Sequence, residues 1–328
     1  MVMAQSLFKY LHQQQETTID VLAPGWVIGL VERMSEIRRG IAFASRHGKL
    51  DLMMRIRSGR SLRSECYDEA IVMPRSLKAA IPSWLAGIPR RSGFSRNLGL
   101  INSVRQYRKD RRELFVRRYL ALASDSAYEL DWQEIPRPSL TIDLDNRQAL
   151  VRRFGLMEGR FVAFAPGAEF GPAKQWPLDR FAELAGRLAE RGLQVVVLGS
   201  EKDGELARQI ATMSDNREII DLCGRTSIAD VVDLASASHG MIVNDSGLMH
   251  LGYASGARVV AIYGSSSSAY TPPLAESAVI LEQQLECQPC FDRQCRFGHY
   301  DCLKGIGVDD VLATEVFADQ GGDNAVSR

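Results

Sequence analysis

One eleven-residue stretch carries the clearest chemistry: Gly240-Met241-Ile242-Val243-Asn244-Asp245-Ser246-Gly247-Leu248-Met249-His250. Residues 241–243 read as a buried strand, 244–247 as a tight polar turn, and 248–254 as the start of a helix. Strand, turn and helix in that order form the unit that holds anions in α/β proteins. The first helical turn offers unpaired N–H groups and the positive end of the helix dipole. Asp245 and Ser246 are N-cap types, and Gly247 lets a ligand approach the backbone closely. His250 falls one turn along, on the face of Ser246 or Gly247. The plainer reading is a capped helix with a surface histidine, and taken alone the stretch supports both equally.

The surrounding elements add weight to the chemical reading. Strands are expected at 161–165, 193–198, 219–222 and 259–263, alternating with helices at 179–191, 227–236 and 248–254. This spacing predicts βαβ units and a doubly wound parallel sheet. The carboxyl ends of its strands carry Gly167, Gly199, Gly224, Asp245 and Gly264. Ligands bind at that edge in open α/β sheets. Lys174, in the Gly- and Pro-rich loop 166–177, offers a cation to a phosphate. Glu201 follows a strand and is placed to accept ribose hydroxyls. With the turn at Asp245, these loops converge on a site for a nucleotide diphosphate compound. Individually, Lys174 reads equally as solvated, Glu201 as a helix cap and His250 as a core residue. Neither G-x-x-x-x-G-K-[ST] nor G-x-G-x-x-G occurs, which argues against an NTPase and a dehydrogenase.

The first half of the chain alternates in the same way. It opens on an amphipathic helix at 1–12, then strands at 17–22, 37–43 and 70–73, with helices at 24–34 and 51–66. Residues 88–94 read as a turn-rich segment and 113–124 as a strong helix. The polar stretch 126–146, with Pro136 and Pro138, reads as the interdomain linker. The total charge is zero, yet residues 1–150 carry 24 basic and 16 acidic side chains, a net +8, and the remainder −8. The first half is therefore expected to meet an anion. A nucleic-acid partner would need aromatic and basic residues interleaved, and they are not. There is no apolar run of membrane-span length and no secretory signal, so a cytoplasmic location is expected.

Three segments resemble the bacterial heptosyltransferases, glycosyltransferase family 9: residues 166–177, Asn244 through His250, and Tyr263-Gly264-Ser265-Ser266 with Thr271-Pro272-Pro273-Leu274. Gln5-Ser6-Leu7, Ala23-Pro24-Gly25-Trp26 and Ser76-Leu77-Lys78-Ala79-Ala80 extend the resemblance, which runs from Met1 to about Phe317. It implies an α/β GT-B fold of two Rossmann-like, doubly wound domains facing a cleft. Their expected spans are 1–145 for the acceptor and 146–318 for the donor, with a disordered tail at 319–328. The implied reaction is inverting, metal-independent transfer of heptose from ADP-heptose to the inner core of lipopolysaccharide. Another nucleotide sugar, or a catalytically impaired binding remnant, is the alternative. Carried over by motif, the donor contacts are Glu169, Glu201, Thr226, Asp245, Ser246, Gly247 and His250, with Lys174 stabilising the leaving diphosphate. Arg60, Arg63, Arg75 and Lys78, with Arg90 and Arg91, are expected to face the anionic acceptor. Arg55 and Arg57 read as a solvated helix face.

Family members begin with a strand and a Gly-Asp turn just before a segment like Met1 to Leu7, and that aspartate is the proposed general base. Neither stands in residues 1–328. The expectation is an N-terminal sheet without its first strand and a chain that binds donor but turns over poorly. Cys287, Cys290, Cys295 and Cys302 form C-x2-C-x4-C-x6-C, with His299 nearby. The first pair has zinc spacing. Free thiols are expected in a reducing cytosol, with structural zinc as the alternative and no cofactor required. The protein is expected to be a monomer, working at the inner-membrane face without crossing it.

Overall fold

In the computed structural model the described residues are 1–43, 51–107, 110, 113–214, 219–276 and 278–317. The expected disordered tail lies outside them. The chain divides into two compact units, Met1–Pro138 and Ser139–Arg328.

Among the described residues the first unit holds two parallel sheets. One pairs β1 (Ile19–Pro24) with β2 (Ile37–Phe43). The other runs in the order β3 (Glu69–Val72), β4 (Arg90–Gly93), β5 (Ser103–Val104). The turn-rich reading of 88–94 is thus corrected. Arg90–Gly93 is a strand because β3 supplies its ladder partners, and the Ser92 hydroxyl donates to Glu69 at 2.6 Å. The helix expected at 113–124 is also corrected: only Arg117–Leu120 is α-helical. Tight i→i+3 bonds flank it, from Arg117 N–H to Leu114 O and from Ala123 N–H to Leu120 O.

The helices Leu52–Arg63 and Leu77–Leu85 pack closely. Gly59 makes that approach possible: a Cβ there would lie 2.6 Å from Leu85 Cβ. Arg55 is not on a solvated face. It is buried, donates through Nη1 to Lys78 O at 2.5 Å, and lies 4.9 Å over the Phe43 ring.

The second unit is one six-stranded parallel sheet. Its strands are β6 (Phe161–Ala165), β7 (Gln194–Val197), β8 (Ile219–Asp221), β9 (Gly240–Asn244), β10 (Val259–Tyr263) and β11 (Ala278–Glu282). Their order is β11-β10-β9-β6-β7-β8. β6, β9 and β10 are buried at every position, as expected for continuous apolar runs covered on both faces. The strand order reverses between β6 and β9, and that switch point opens a crevice beyond their carboxyl ends. The helix Leu144–Arg153 begins inside the stretch read as linker. Asp143 caps it, and Asn146 Nδ2 donates to the buried Asp233 at 2.8 Å.

Back in the first unit, Asp20 ties β1 to β2 and to the turn before β3. Its side chain is only 2% exposed. It accepts from Arg38 at 2.6 and 2.8 Å, from Arg39 at 3.0 Å and from the Tyr67 hydroxyl at 2.5 Å. The Arg38 bonds chiefly hold its carboxyl down at about 2. A folded-state pKa below the unfolded one stabilises the protein above the unfolded value, and the gain is lost as pH falls through the folded value. Asp20 is therefore expected to contribute about 2 kcal/mol at pH 7, declining between pH 4 and 2. Urea denaturation of Asp20→Asn checks this. Its midpoint should fall well below the parent's at pH 7 and approach it near pH 2; equal midpoints at pH 7 contradict it.

Candidate functional site

The site is built on one buried side chain at the switch point. Asn244 ends β9, beside the end of β6. Its Nδ2 donates to Pro166 O at 2.7 Å, and its Oδ1 accepts from Trp176 N–H at 3.0 Å. Both ends of the loop after β6 are thereby pinned to the neighbouring strand. Trp176 is fully buried, stacks edge-on against Phe181 at 4.9 Å, and donates Nε1–H to Ile306 O at 3.0 Å. Between these anchors the loop makes a 3₁₀ turn, Pro172–Lys174.

That turn lies against the loop after β10. Ser265 N–H donates to Ala173 O at 2.9 Å, and a Cβ on Gly264 would collide with the same oxygen. Lys174 is so directed that its ammonium pairs with the Asp245 carboxylate, 5.1 Å from the centre of the Phe170 ring. The same Asp245 oxygen accepts the Ser266 hydroxyl at 2.6 Å. Asp245 is thus not a helix cap; it holds Lys174 and Ser266 together.

Ser246 occupies the N-cap position of the helix Gly247–Ala254, but its hydroxyl makes no capping bond. A Cβ at Gly247 would meet nothing within 4 Å, so the backbone at the helix start lies open. Ser246 Oγ, His250 Nδ1 and Ser265 Oγ are buried with no hydrogen-bond partner among the described residues. Buried polar groups are rarely left in that state, and a polar ligand would supply the missing partners. His250 is buried, which corrects the surface reading, and burial pulls its imidazole down to about 4, with the Lys174 charge acting the same way and Asp245 against. It is a neutral hydrogen-bonding group at physiological pH.

The loops after β6, β7 and β8 meet through glycines. A Cβ on Gly167 would strike the Asp203 carboxylate, and one on Gly199 would lie 2.7 Å from Asp203 Cβ. Gly224, at φ +70°, approaches the Glu201 backbone within 3.0 Å of where its Cβ would stand. Asp203 accepts from Ser200 N–H and Oγ, at 2.7 and 2.8 Å, and so takes the capping role that Glu201 was alternatively given. Glu201 is left exposed at the end of β7. Thr226 Oγ1 is buried without a partner among the described residues, just beyond β8. Glu169 is exposed in the loop after β6. Asn244, Ser265 and Ser266 had no assigned role in the sequence reading. The polar residue ending an otherwise apolar strand, and the serine run after Gly264, were the available signals.

The six cations expected to face the acceptor do not gather at one edge. Arg75 and Lys78 follow β3, at its carboxyl end. Arg60 and Arg63 lie at the opposite end, on the last turn of Leu52–Arg63, where Arg63 Nη2 donates to Leu85 O at 3.2 Å. Arg90 pairs with Glu69 at 3.8 Å and Arg91 donates to Leu100 O at 2.7 Å, both at the start of β4. The four clustered thiols line one small cavity with His299 and Tyr300. Among the described residues no three metal-ligating side chains are arranged to hold a metal. Burial raises the Cys302 thiol to about 11, whereas the Tyr300 N–H leads the backbone donors that lower Cys295. The loop carrying these cysteines braces the site: Phe291 N–H donates to Ser265 O at 2.7 Å, and Arg293 Nε to Phe170 O at 2.7 Å.

Lys174, an open helix start and unpaired hydroxyls suit a diphosphate, and a cation placed there would stabilise it as a leaving group. Residues 55–301 match glycosyltransferase family 9 (heptosyltransferase). The chain is 38% identical over 292 residues to lipopolysaccharide heptosyltransferase 2 of Escherichia coli K12, covering 86% of this chain and 84% of that one. It is also 38% identical to lipooligosaccharide heptosyltransferase 2 of Haemophilus influenzae, over 295 residues and the same shares. The fold superposes on the E. coli ADP-heptose LPS heptosyltransferase II structure with a TM-score of 0.83, at 35% identity, covering 95% of this chain and 92% of that one.

The electrostatics of His250 are directly measurable. Its nitrogen resonances should report a neutral ring from pH 8 down to about 5, with protonation near 4. Between pH 6.5 and 4 the unfolded chain binds the extra proton, so this residue is expected to erode stability as pH falls through that window. Titration of the His250 ring near 6.5 contradicts the buried assignment.

Proposed function

The chain belongs to glycosyltransferase family 9, the heptosyltransferases, and from that membership we propose that it transfers heptose from ADP-L-glycero-D-manno-heptose to the inner core of lipopolysaccharide with inversion. An acceptor hydroxyl oxygen attacks the anomeric carbon in line. The bond from that carbon to the diphosphate oxygen breaks, ADP leaves with the electron pair, and the hydroxyl proton passes to solvent water as the new glycosidic bond forms. The observation that carries this reading is the cluster at the helix start: Lys174 held on Asp245, with Ser246, His250 and Ser265 buried and unpaired around it.

In this reading the diphosphate lies on the first turn of Gly247–Ala254. Lys174 transfers from Asp245 to the phosphate as negative charge builds on the leaving oxygen, a charge-assisted contact worth most at that moment. Ammonium and helix dipole together do what a divalent cation does in metal-dependent transferases, so no metal is required. Glu201 accepts the ribose hydroxyls, Thr226 Oγ1 lies by the adenine, and Glu169 reaches the donor from the loop after β6. Arg75 and Lys78 meet the phosphates and acidic sugars of the acceptor. Arg60 and Arg63, at the opposite end of their helix, are left out of that contact. The chain acts as a monomer in the cytoplasm, at the inner face of the membrane. No helix among the described residues is long and apolar enough to cross it.

Steady-state transfer assays test this. Lys174→Ala is expected to lower kcat about 10²–10³-fold, some 3–4 kcal/mol, with a far smaller change in donor affinity. Arg75→Ala with Lys78→Ala should raise the acceptor KM and leave ADP binding unchanged. A Lys174→Ala enzyme within threefold of the parent kcat would remove the basis for the mechanism.

A further inference from the structure

The loop that carries the four clustered cysteines has no part in the transfer step, yet it holds two of the donor-site loops in place. The contacts fall on residues 291–293, between Cys290 and Cys295. Phe291 N–H donates to Ser265 O at 2.7 Å, in the loop after β10. Arg293 grips the loop after β6 twice: its carbonyl accepts Ala173 N–H at 3.1 Å, and its Nε donates to Phe170 O at 2.7 Å. That contact has no slack, because a Cβ on Gly171 would lie 2.6 Å from Arg293 O. Phe291 itself stands at φ +56°, in the left-handed region that a bulky residue avoids. Such strain persists only where the surroundings over-determine the backbone, and it concentrates at functional sites and switch segments.

The thiols around this brace are close but unlike. Cys287, Cys290, Cys295 and Cys302 are all half-buried and line one cavity. The Cys295 sulfur accepts backbone N–H groups, from Tyr300 first and also from Phe297, Gly298 and His299, and these favour its thiolate. Burial holds Cys302 as a thiol, at about 11. We propose that Cys290 and Cys295 form an oxidation site: a peroxide closes them to a disulfide that releases the brace and weakens donor binding, and a thiol reductant reverses it. The Cys295 thiolate attacks one oxygen of hydrogen peroxide, the O–O bond breaks to leave a sulfenic acid, and the departing hydroxide takes up the proton the thiol had released. The Cys290 sulfur then attacks the Cys295 sulfur, the S–O bond breaks, and water leaves with the Cys290 proton. Two thiols are oxidised and one peroxide is reduced to two waters. The new bond closes residues 290–295 into one short ring and draws the Cys295 sulfur off its N–H donors. Strained Phe291 then relaxes, and the bonds to Ser265, Ala173 and Phe170 are lost. The loop bearing Lys174 loses its outer support. In a reducing cytosol the site stays open until the oxidant rises. The inference rests on the diphosphate reading of the donor site and deepens it by making that site answer to oxidation.

The test takes the full chain, reduced and then treated with hydrogen peroxide, and measures ADP affinity by calorimetry and thiol state by differential alkylation with peptide mass mapping. Oxidation is expected to link Cys290 to Cys295 and to raise the Kd for ADP at least about fivefold, with dithiothreitol restoring the parent value. Cys295→Ser should bind ADP as the reduced parent does, which also shows that it is folded, and should no longer respond to peroxide. Cys290→Ser should stop at a Cys295 sulfenic acid that dimedone traps. A disulfide between other cysteines, or none, overturns the proposal. So does a Cys290–Cys295 disulfide that leaves ADP affinity unchanged, or a peroxide response that survives in Cys295→Ser. Purified chain carrying about one zinc or iron, with its thiols unreactive until the metal is chelated, overturns it as well, since the cluster would then be a metal site. Reduced chain that binds no ADP refutes the donor-site reading and the switch with it, whereas equal ADP binding before and after the disulfide forms refutes the switch alone.

Discussion

The arrangement depends on a single buried amide. Asn244 terminates a strand with no polar neighbours in its interior, and among the described residues its side chain is satisfied by the two ends of the loop after β6. Leaving either group unpaired in that setting would cost about 1–3 kcal/mol. The loop is therefore fixed at its base, although its middle is rich in glycine and proline. Trp176 then buries the far end in the core of the second unit. With both ends set, the position of Lys174 follows from a short 3₁₀ turn rather than from a flexible excursion.

This explains how a lysine can be pre-positioned for a ligand without being spent. Asp245 holds the ammonium, and Ser266 holds Asp245. An isolated cation half-buried here would carry a desolvation cost, which the carboxylate offsets. The helix start beside it remains open because Ser246 does not cap it. His250 stays neutral through burial, so it adds hydrogen-bonding capacity without adding charge. An arriving diphosphate would exchange one carboxylate partner of Lys174 for another anion of higher charge, while the serine hydroxyls and the imidazole gain partners. The cysteine loop contributes from outside, by bonds from Phe291 and Arg293 to the same two loops.

Much of the second unit was legible in the sequence because its strands are apolar at every position and its turns are marked by glycine. The strand ending at Asn244 and the helix from Gly247 fall where the pattern put them. What escaped was decided by contacts between distant segments. Asn244 looks like an ordinary turn residue until β6 and β9 are set side by side. Arg55 looks like a surface cation until the helix Leu77–Leu85 supplies a carbonyl for it. Arg90–Gly93 has no strand signature of its own and takes that form from the ladder with β3. Arg60 and Arg63 carry the right charge, but helix direction puts them at the far end from Arg75 and Lys78. The family resemblance was readable because the residues proposed to touch ligands lie in short contiguous motifs, whereas the residues that brace them are dispersed.

The most direct test is a crystal structure of the chain with ADP bound. The account places the diphosphate on the first turn of Gly247–Ala254, within hydrogen-bond distance of Ser246 Oγ, with Lys174 Nζ moved from Asp245 onto a phosphate oxygen. A diphosphate bound elsewhere, or one seated on that turn while Lys174 remains paired only with Asp245, would contradict it.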